Sequence, residues 1–181
     1  MAASIPDRLM QTTPHLDDLL PYLMNRLIAR MNQNLADTLR AHGFTFQDWR
    51  ILAVLAAHNG INLTELTEAA VLPQPTVSRL VAQLARKGLV DRRNAKKDSR
   101  FVELWITPSG LKTYRRMLPH AVAEYRAAMK GFSAKDGAHL RRMLQRMMRN
   151  RDVTLLPRIS GTASPPRSRR PERTSPSARR P

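Results

Sequence analysis

Four side chains near the middle of the chain, Gln74, Thr76, Ser78 and Arg79, have the types and spacing to read a polar surface. On a helix they fall away from an apolar face made by Val77, Leu80, Val81 and Leu84, which should pack inward. An arginine can pair with O6 and N7 of guanine, and a glutamine with N6 and N7 of adenine. Thr76 and Ser78 suit phosphate equally well, and helix capping is their plainer role. Arg86, further along the same helix, fits a phosphate clamp better than a base reader. A basic run follows. Arg92, Arg93, Lys96 and Lys97 can reach phosphates or a groove, or can simply be solvated. Asp98 and Arg100 come next, close enough to form a hairpin ion pair.

A second group could hold a small molecule. Arg26, Trp49 and Arg50 supply cations and an aromatic plane, which suit an aromatic carboxylate. The plainer reading places Trp49 in the core and Arg26 on the surface. His15, His42, His58, His120 and His139 are scattered, with no metal-ligand spacing among them, so neither a metal site nor a zinc-sensing regulator is expected. Met143, Met147 and Met148 read as packing residues rather than redox sensors. With no cysteine in the chain, thiol redox sensing, thiolate metal sites and cysteine nucleophiles drop out together. No Gly-rich loop follows a strand, no motif aims a serine nucleophile, and the acidic residues are dispersed. The chain therefore reads as neither an enzyme nor a cofactor protein.

The elements that must position these residues can be traced along the chain. Leu20, Leu23, Leu27, Met31, Leu35 and Leu39 recur at three- and four-residue steps, which predicts a long helix with Pro21 in its first turn and Gly43 past its end. Thr45 with Asp48 resembles a capping box for a second helix that Gly60 stops, although Glu or Gln is the usual partner. Asn62 and Glu65 can cap a short helix through Ala70. Val71-Leu72-Pro73-Gln74 is a turn, and Pro75 opens the helix that ends at Gly88. Leu89 to Ile106 is a basic ribbon, with Val102, Leu104 and Ile106 on one face and Phe101, Glu103 and Trp105 on the other. Thr107-Pro108 starts a helix to about Lys130, with a bend expected near Pro119, and Ser133 with Asp136 starts a last helix to about Asn150. Helix, turn, helix and ribbon in this order make a winged helix-turn-helix, mainly α with a small β-wing. In this organisation 1–15 is a flexible arm and 16–150 the folded unit. The nucleic-acid-binding lobe spans about 45–106, and the flanking helices, about 19–42 and 107–150, serve dimerisation. Residues 151–181, rich in Arg, Pro and Ser, cannot bury enough apolar surface to offset ordering entropy and should be disordered.

The chain has 181 residues and a net charge of +17, with 25 Arg and 6 Lys. Such charge draws a protein to polyanions. Double-stranded DNA is the first candidate and an anionic membrane the weaker one, since the longest purely apolar run, Ile51 to Ala57, is far too short to span a bilayer. With no secretory pattern at the start, a cytoplasmic, nucleoid-associated protein is expected. The end helices carry more apolar surface than one lobe can cover, so a homodimer is expected. Its two reading helices would lie about 34 Å apart on DNA, which calls for a palindromic operator. A non-specific architectural nucleoid protein and an RNA binder working through the Arg-rich tail are the rivals.

The wing region also resembles a known family. Asp98-Ser99-Arg100-Phe101-Val102-Glu103-Leu104-Trp105-Ile106-Thr107-Pro108-Ser109-Gly110 is similar to the wing signature of the MarR (multiple antibiotic resistance regulator) family, in which Asp-x-Arg leads into a strand and then Leu-Thr-x-x-Gly. Ile106 stands for the usual Leu. Gln74 to Val81, Lys87-Gly88-Leu89-Val90 and Trp49 to Leu55 match the same family's recognition helix, its exit and its second helix. The resemblance covers about Leu16 to Asn150. It implies a dimeric transcription regulator, usually a repressor, often released from DNA by a small aromatic or phenolic acid bound between the dimerisation helices and the DNA-binding lobe. It further implies that Arg100 enters the minor groove and that Asp98 holds it there, in keeping with the pull of a narrow minor groove on a guanidinium.

Overall fold

The computed structural model of the chain describes residues 15–94 and 102–153. A short 3-10 turn at Leu16–Asp18 leads into α1 (Leu20–Arg40), α2 (Phe46–Ala57), α3 (Leu63–Ala70) and α4 (Gln74–Arg86). Strands β1 (Val90–Asn94) and β2 (Val102–Ile106) follow, then α5 (Pro108–Ala128) and α6 (Ala134–Arg149).

Side chains placed at the helix starts account for where the helices begin. Thr45 Oγ1 accepts from the Asp48 amide at 3.0 Å, and the Thr45 amide donates to Asp48 Oδ2 at 3.0 Å. Asp48 thus closes the capping box despite being a methylene shorter than Glu. Asn62 and Glu65 close a second box at 3.0 and 2.9 Å, and Ser133 and Asp136 a third. Each cap is worth about 1 kcal/mol because it satisfies amides that the first helical turn leaves unpaired.

Some ends differ by a residue or two from the sequence pattern. α4 begins at Gln74, with Pro75 still inside the first turn, where its missing N–H costs nothing. α2 ends at Ala57 rather than running to Gly60. α5 passes Pro119 as one continuous helix. Pro119 lies on the exposed side, where water can reach the carbonyl that loses its donor.

The core lies between α2, α3, α4, the ribbon and the inner ends of α1 and α5. Leu39, Ile51, Leu52, Leu55, Leu66, Val77, Leu84 and Met117 are fully buried there. All four apolar residues assigned to the inner face of α4 are buried. The stripe on α1 is split. Leu35 and Leu39 are buried, whereas Leu20, Leu23, Leu27 and Ile28 are exposed. No residue of α6 is buried, and its Leu140, Met143 and Met147 are exposed.

The ribbon pairs antiparallel, with Val90 opposite Ile106, Arg92 opposite Leu104 and Asn94 opposite Val102. Ile61 adds an isolated bridge on the other edge of β2: the Leu104 amide donates to the Ile61 carbonyl at 2.8 Å, and the Gly60 amide to the Leu104 carbonyl at 2.9 Å. At the far end Asn59 Oδ1 accepts from the Ile106 amide at 2.8 Å.

Thr107 locks ribbon and helix together. Its hydroxyl donates to the Gly88 carbonyl at 2.8 Å and accepts from the Gly110 amide at 2.9 Å, while its amide donates to the Leu89 carbonyl at 3.1 Å. Gly110 packs so closely that a Cβ there would run into the Leu89 carbonyl and the Ile106 side chain. The Thr-x-x-Gly spacing is thus explained by close packing of the α5 start on the exit of α4.

Candidate nucleic-acid interface

The turn before α4 aims that helix. Val71 closes α3 in the left-handed region, at φ 52°, and Pro73 is extended, with its carbonyl accepting from the Val77 amide at 3.1 Å. A β-branched residue in the left-handed region is strained. The Val71 side chain is 79% exposed, so packing does not compensate it.

With its apolar face fixed inward, α4 turns the other side to solvent. Gln74, Ser78, Arg79 and Arg86 are exposed, and Thr76 is half-buried. Among the described residues the ion pairs are Arg40–Asp37 and Arg93–Asp91, so Arg79, Arg86 and Arg92 have no carboxylate partner there. Exposed, unpaired guanidiniums are the groups that displace counterions from a phosphate backbone.

The structure brings Arg92 to α4. Its side chain, with Ser78, Val81, Val102 and Leu104, lines a cleft of about 310 Å³ whose far wall is Asn62, Leu63 and Thr64 at the start of α3. Two hydroxyls and a guanidinium converge on this cleft, a donor set that suits a phosphate oxygen. In the sequence Asn62 reads only as a helix cap, and Thr64 carries no signal of its own. Their place follows from the packing of α3 beside the ribbon, and the capping pattern signalled only their helix position.

Arg93 is placed differently. It lies opposite Glu103, on the other face of the ribbon from Arg92. There it pairs with Asp91 at 2.8 Å and its guanidinium lies 5.1 Å from the Trp105 ring centroid. Trp105 Nε1 in turn donates to Glu103 Oε2 at 3.1 Å. This four-residue arrangement stiffens the wing and turns Arg93 away from the α4 set. Lys96, Lys97, Asp98 and Arg100 lie outside the described residues.

A second, larger cleft of about 660 Å³ opens between α2, the end of α3 and the end of α6. Phe46, Trp49, Arg50, Glu68, Val71 and Met148 are among its lining residues. Arg50 lies over the Phe46 ring at 4.7 Å and donates to the Ala70 carbonyl at 3.2 Å. Burial lowers its pKa from the ordinary value, as expected for a cation withdrawn from water. Trp49 is both core and lining, and its ring stacks on Tyr114 of α5. Arg26 is not part of this cleft. It is exposed on α1 and donates to the Tyr22 hydroxyl at 3.0 Å, the chief cause of its raised pKa.

Among the described residues no three His, Cys, Asp or Glu side chains gather as a metal site, and no helix is long and apolar enough to cross a membrane. The helix-turn-helix with an adjoining two-stranded wing, and an unpaired cationic face along both, define a winged-helix DNA-binding protein.

Comparison with known proteins narrows this class. A MarR-family model matches residues 42–100. A solved MarR-family transcriptional regulator from Silicibacter pomeroyi is 32% identical, with 78% of this chain and 96% of that one aligned at a TM-score of 0.73. The transcriptional repressor IacR of Pseudomonas putida is 26% identical over 129 residues, 71% of this chain and 77% of its own length. The homoprotocatechuate degradative operon repressor of Escherichia coli is 26% identical over 107 residues, 59% of this chain and 72% of its own. The chain belongs to the MarR family and is a transcription regulator rather than an enzyme.

Proposed function

We propose that the protein is a dimeric, sequence-specific repressor that binds a palindromic operator and is released by a small aromatic or phenolic acid. The observation that carries DNA reading is the exposed, carboxylate-free side of α4 set beside Arg92 across the Ser78 cleft. Gln74 and Arg79 read base edges in the major groove, and Thr76, Ser78, Arg86 and Arg92 grip phosphates. Lys96 and Lys97 add phosphate contacts from the wing, while Arg100, held by Asp98, enters the minor groove.

Two further observations support the rest of the reading. The uncovered apolar stripes of α1 and α6 are what a second copy would bury, and α5 links them to the lobe. The Trp49–Arg50 cleft offers an aromatic wall and a desolvated cation to an aromatic carboxylate, within the volume range of small-ligand sites. Val71 lines this cleft and begins the turn into α4, so an occupant acts directly on the reading helix. One relative's name joins repression to the degradation of homoprotocatechuate, itself a phenolic acid.

Gel shifts with DNA from upstream of the protein's own gene test this. Arg100→Ala is expected to weaken binding strongly, with the dimer intact by sedimentation. Wild-type affinity in that variant counts against the wing's role, and a monomer in the unmutated protein counts against the whole arrangement.

A further inference from the structure

The sequence shows no metal-ligand spacing among its histidines, yet the fold brings two of them together. His42 sits in the turn after α1 and His120 in the middle of α5, with ring centroids 5.3 Å apart and planes tilted by 35°. Both rings are held on rigid backbone. The His42 amide donates to the Leu39 carbonyl at 2.9 Å, and the turn is completed by Gly43 at φ 75°. Three residues before each histidine, Leu39 and Met117 are fully buried, which anchors both backbones in the core. Both imidazoles reach solvent, His42 being exposed and His120 half-exposed.

We propose that His42 and His120 form a two-imidazole site for a divalent transition metal, with Zn²⁺ as the reference ion, that clips the end of α1 to α5. Imidazole nitrogens bind such an ion at about 2.0–2.1 Å, and any two imidazoles on a tetrahedral centre have their ring centroids about 5 Å apart. The observed separation therefore needs little rearrangement beyond ring rotation. Imidazole donors favour zinc, copper and nickel over magnesium or calcium. Among the described residues no third His, Cys, Asp or Glu joins the pair, so water fills the remaining positions. Glu124 lies one turn beyond His120 on α5, where Asn34 of α1 holds its carboxylate at 3.0 Å. It adds negative charge to the seam without serving as a ligand. The site is distinct from both clefts described above, and none of its residues lines either one.

The test is calorimetric titration of tag-free full-length protein with Zn²⁺ and Ni²⁺ at neutral pH, alongside His42→Gln and His120→Gln. His58→Gln and His139→Gln serve as controls. One ion per chain is expected, and each ligand variant should weaken binding by roughly ten-fold or more, since loss of even an outer-shell partner has that effect. The controls should bind as wild type does. Zn²⁺ should also raise the melting temperature of the wild type and leave that of His42→Gln unmoved, because an ion that binds only the folded chain stabilises it. His42 lies in an exposed turn, so His42→Gln remains informative if His120→Gln does not fold. Equal affinity in wild type and His42→Gln, or no zinc binding in wild type, means that the rings merely pack together and overturns the proposal.

Discussion

The ring of Trp49 lies on that of Tyr114, centroids 5.0 Å apart and planes 13° from parallel, joining α2 to α5. Trp49 also lines the larger cleft, so the stack connects the proposed effector site to the helix that leads away from the lobe. An aromatic pair of this kind contributes about 0.5–1.5 kcal/mol beyond its buried area. Tyr114→Leu is expected to lower stability by about 1 kcal/mol in urea denaturation, to leave DNA affinity near wild type, and to blunt release by an effector. A Trp105→Phe background leaves Trp49 as the sole tryptophan, whose selectively excited emission follows ligand entry.

Tyr114 also gives an alkaline signature. Burial raises its pKa above the ordinary 10.0, because the charged phenolate is poorly solvated there. The folded state therefore holds the proton more tightly than the unfolded one. The associated stability is complete below the unfolded value and is lost as pH rises through the folded one. Tyr114→Phe should flatten this part of the stability profile above about pH 10, and an unchanged profile would show that the hydroxyl is not desolvated.

Gly110 makes a prediction about packing. A methyl group there meets the Leu89 backbone oxygen first, which cannot swing aside as a side chain can, and the Ile106 side chain next. Gly110→Ala is expected to cost about 1–3 kcal/mol, as overpacked sites do, and to loosen the wing because Thr107 is displaced with it. Thermal denaturation and amide exchange at Leu89 and Leu104 measure the two effects.

Val71 predicts the opposite sign. Its side chain is exposed and its backbone left-handed. Val71→Gly removes the steric strain, partly offset by the greater freedom of glycine in the unfolded chain, and should raise stability by about 0.5–1 kcal/mol. A loss of stability would show that the turn is not strained.

Arginines on the two faces of the ribbon should behave differently. Arg92→Ala is expected to lower DNA affinity across all sequences and to reduce the slope of log affinity against log salt by about 1. Arg93→Ala is expected to leave that slope nearly unchanged and to weaken the hairpin instead, since its guanidinium is engaged by Asp91 and Trp105.

Local signals account for what the sequence made legible. Thr45, Asn62 and Ser133 mark helix starts because capping is decided within four residues, and the inner face of α4 follows from spacing alone. Val71 was not legible as a left-handed residue, because neither Gly nor Asn stands there to mark it. Arg92 and Arg93 look alike in sequence. Only the register, with Leu104 opposite one and Glu103 opposite the other, separates them. The cleft that joins Thr64, Ser78 and Arg92 draws on three elements, and the His42–His120 pair on two remote ones. Such meetings are set by tertiary packing, which local patterns do not encode.

The most direct measurement is a competition assay with the full chain at physiological salt. A duplex from upstream of the protein's own gene competes against a scrambled duplex of the same length and composition, for wild type and for Arg79→Ala. A reading helix predicts that wild type prefers the upstream duplex by roughly 10³-fold or more, and that Arg79→Ala loses about 1–3 kcal/mol of that preference at one base pair per half-site. Equal affinity of the wild type for the two duplexes would contradict sequence reading by α4 and leave only charge-driven coating of DNA.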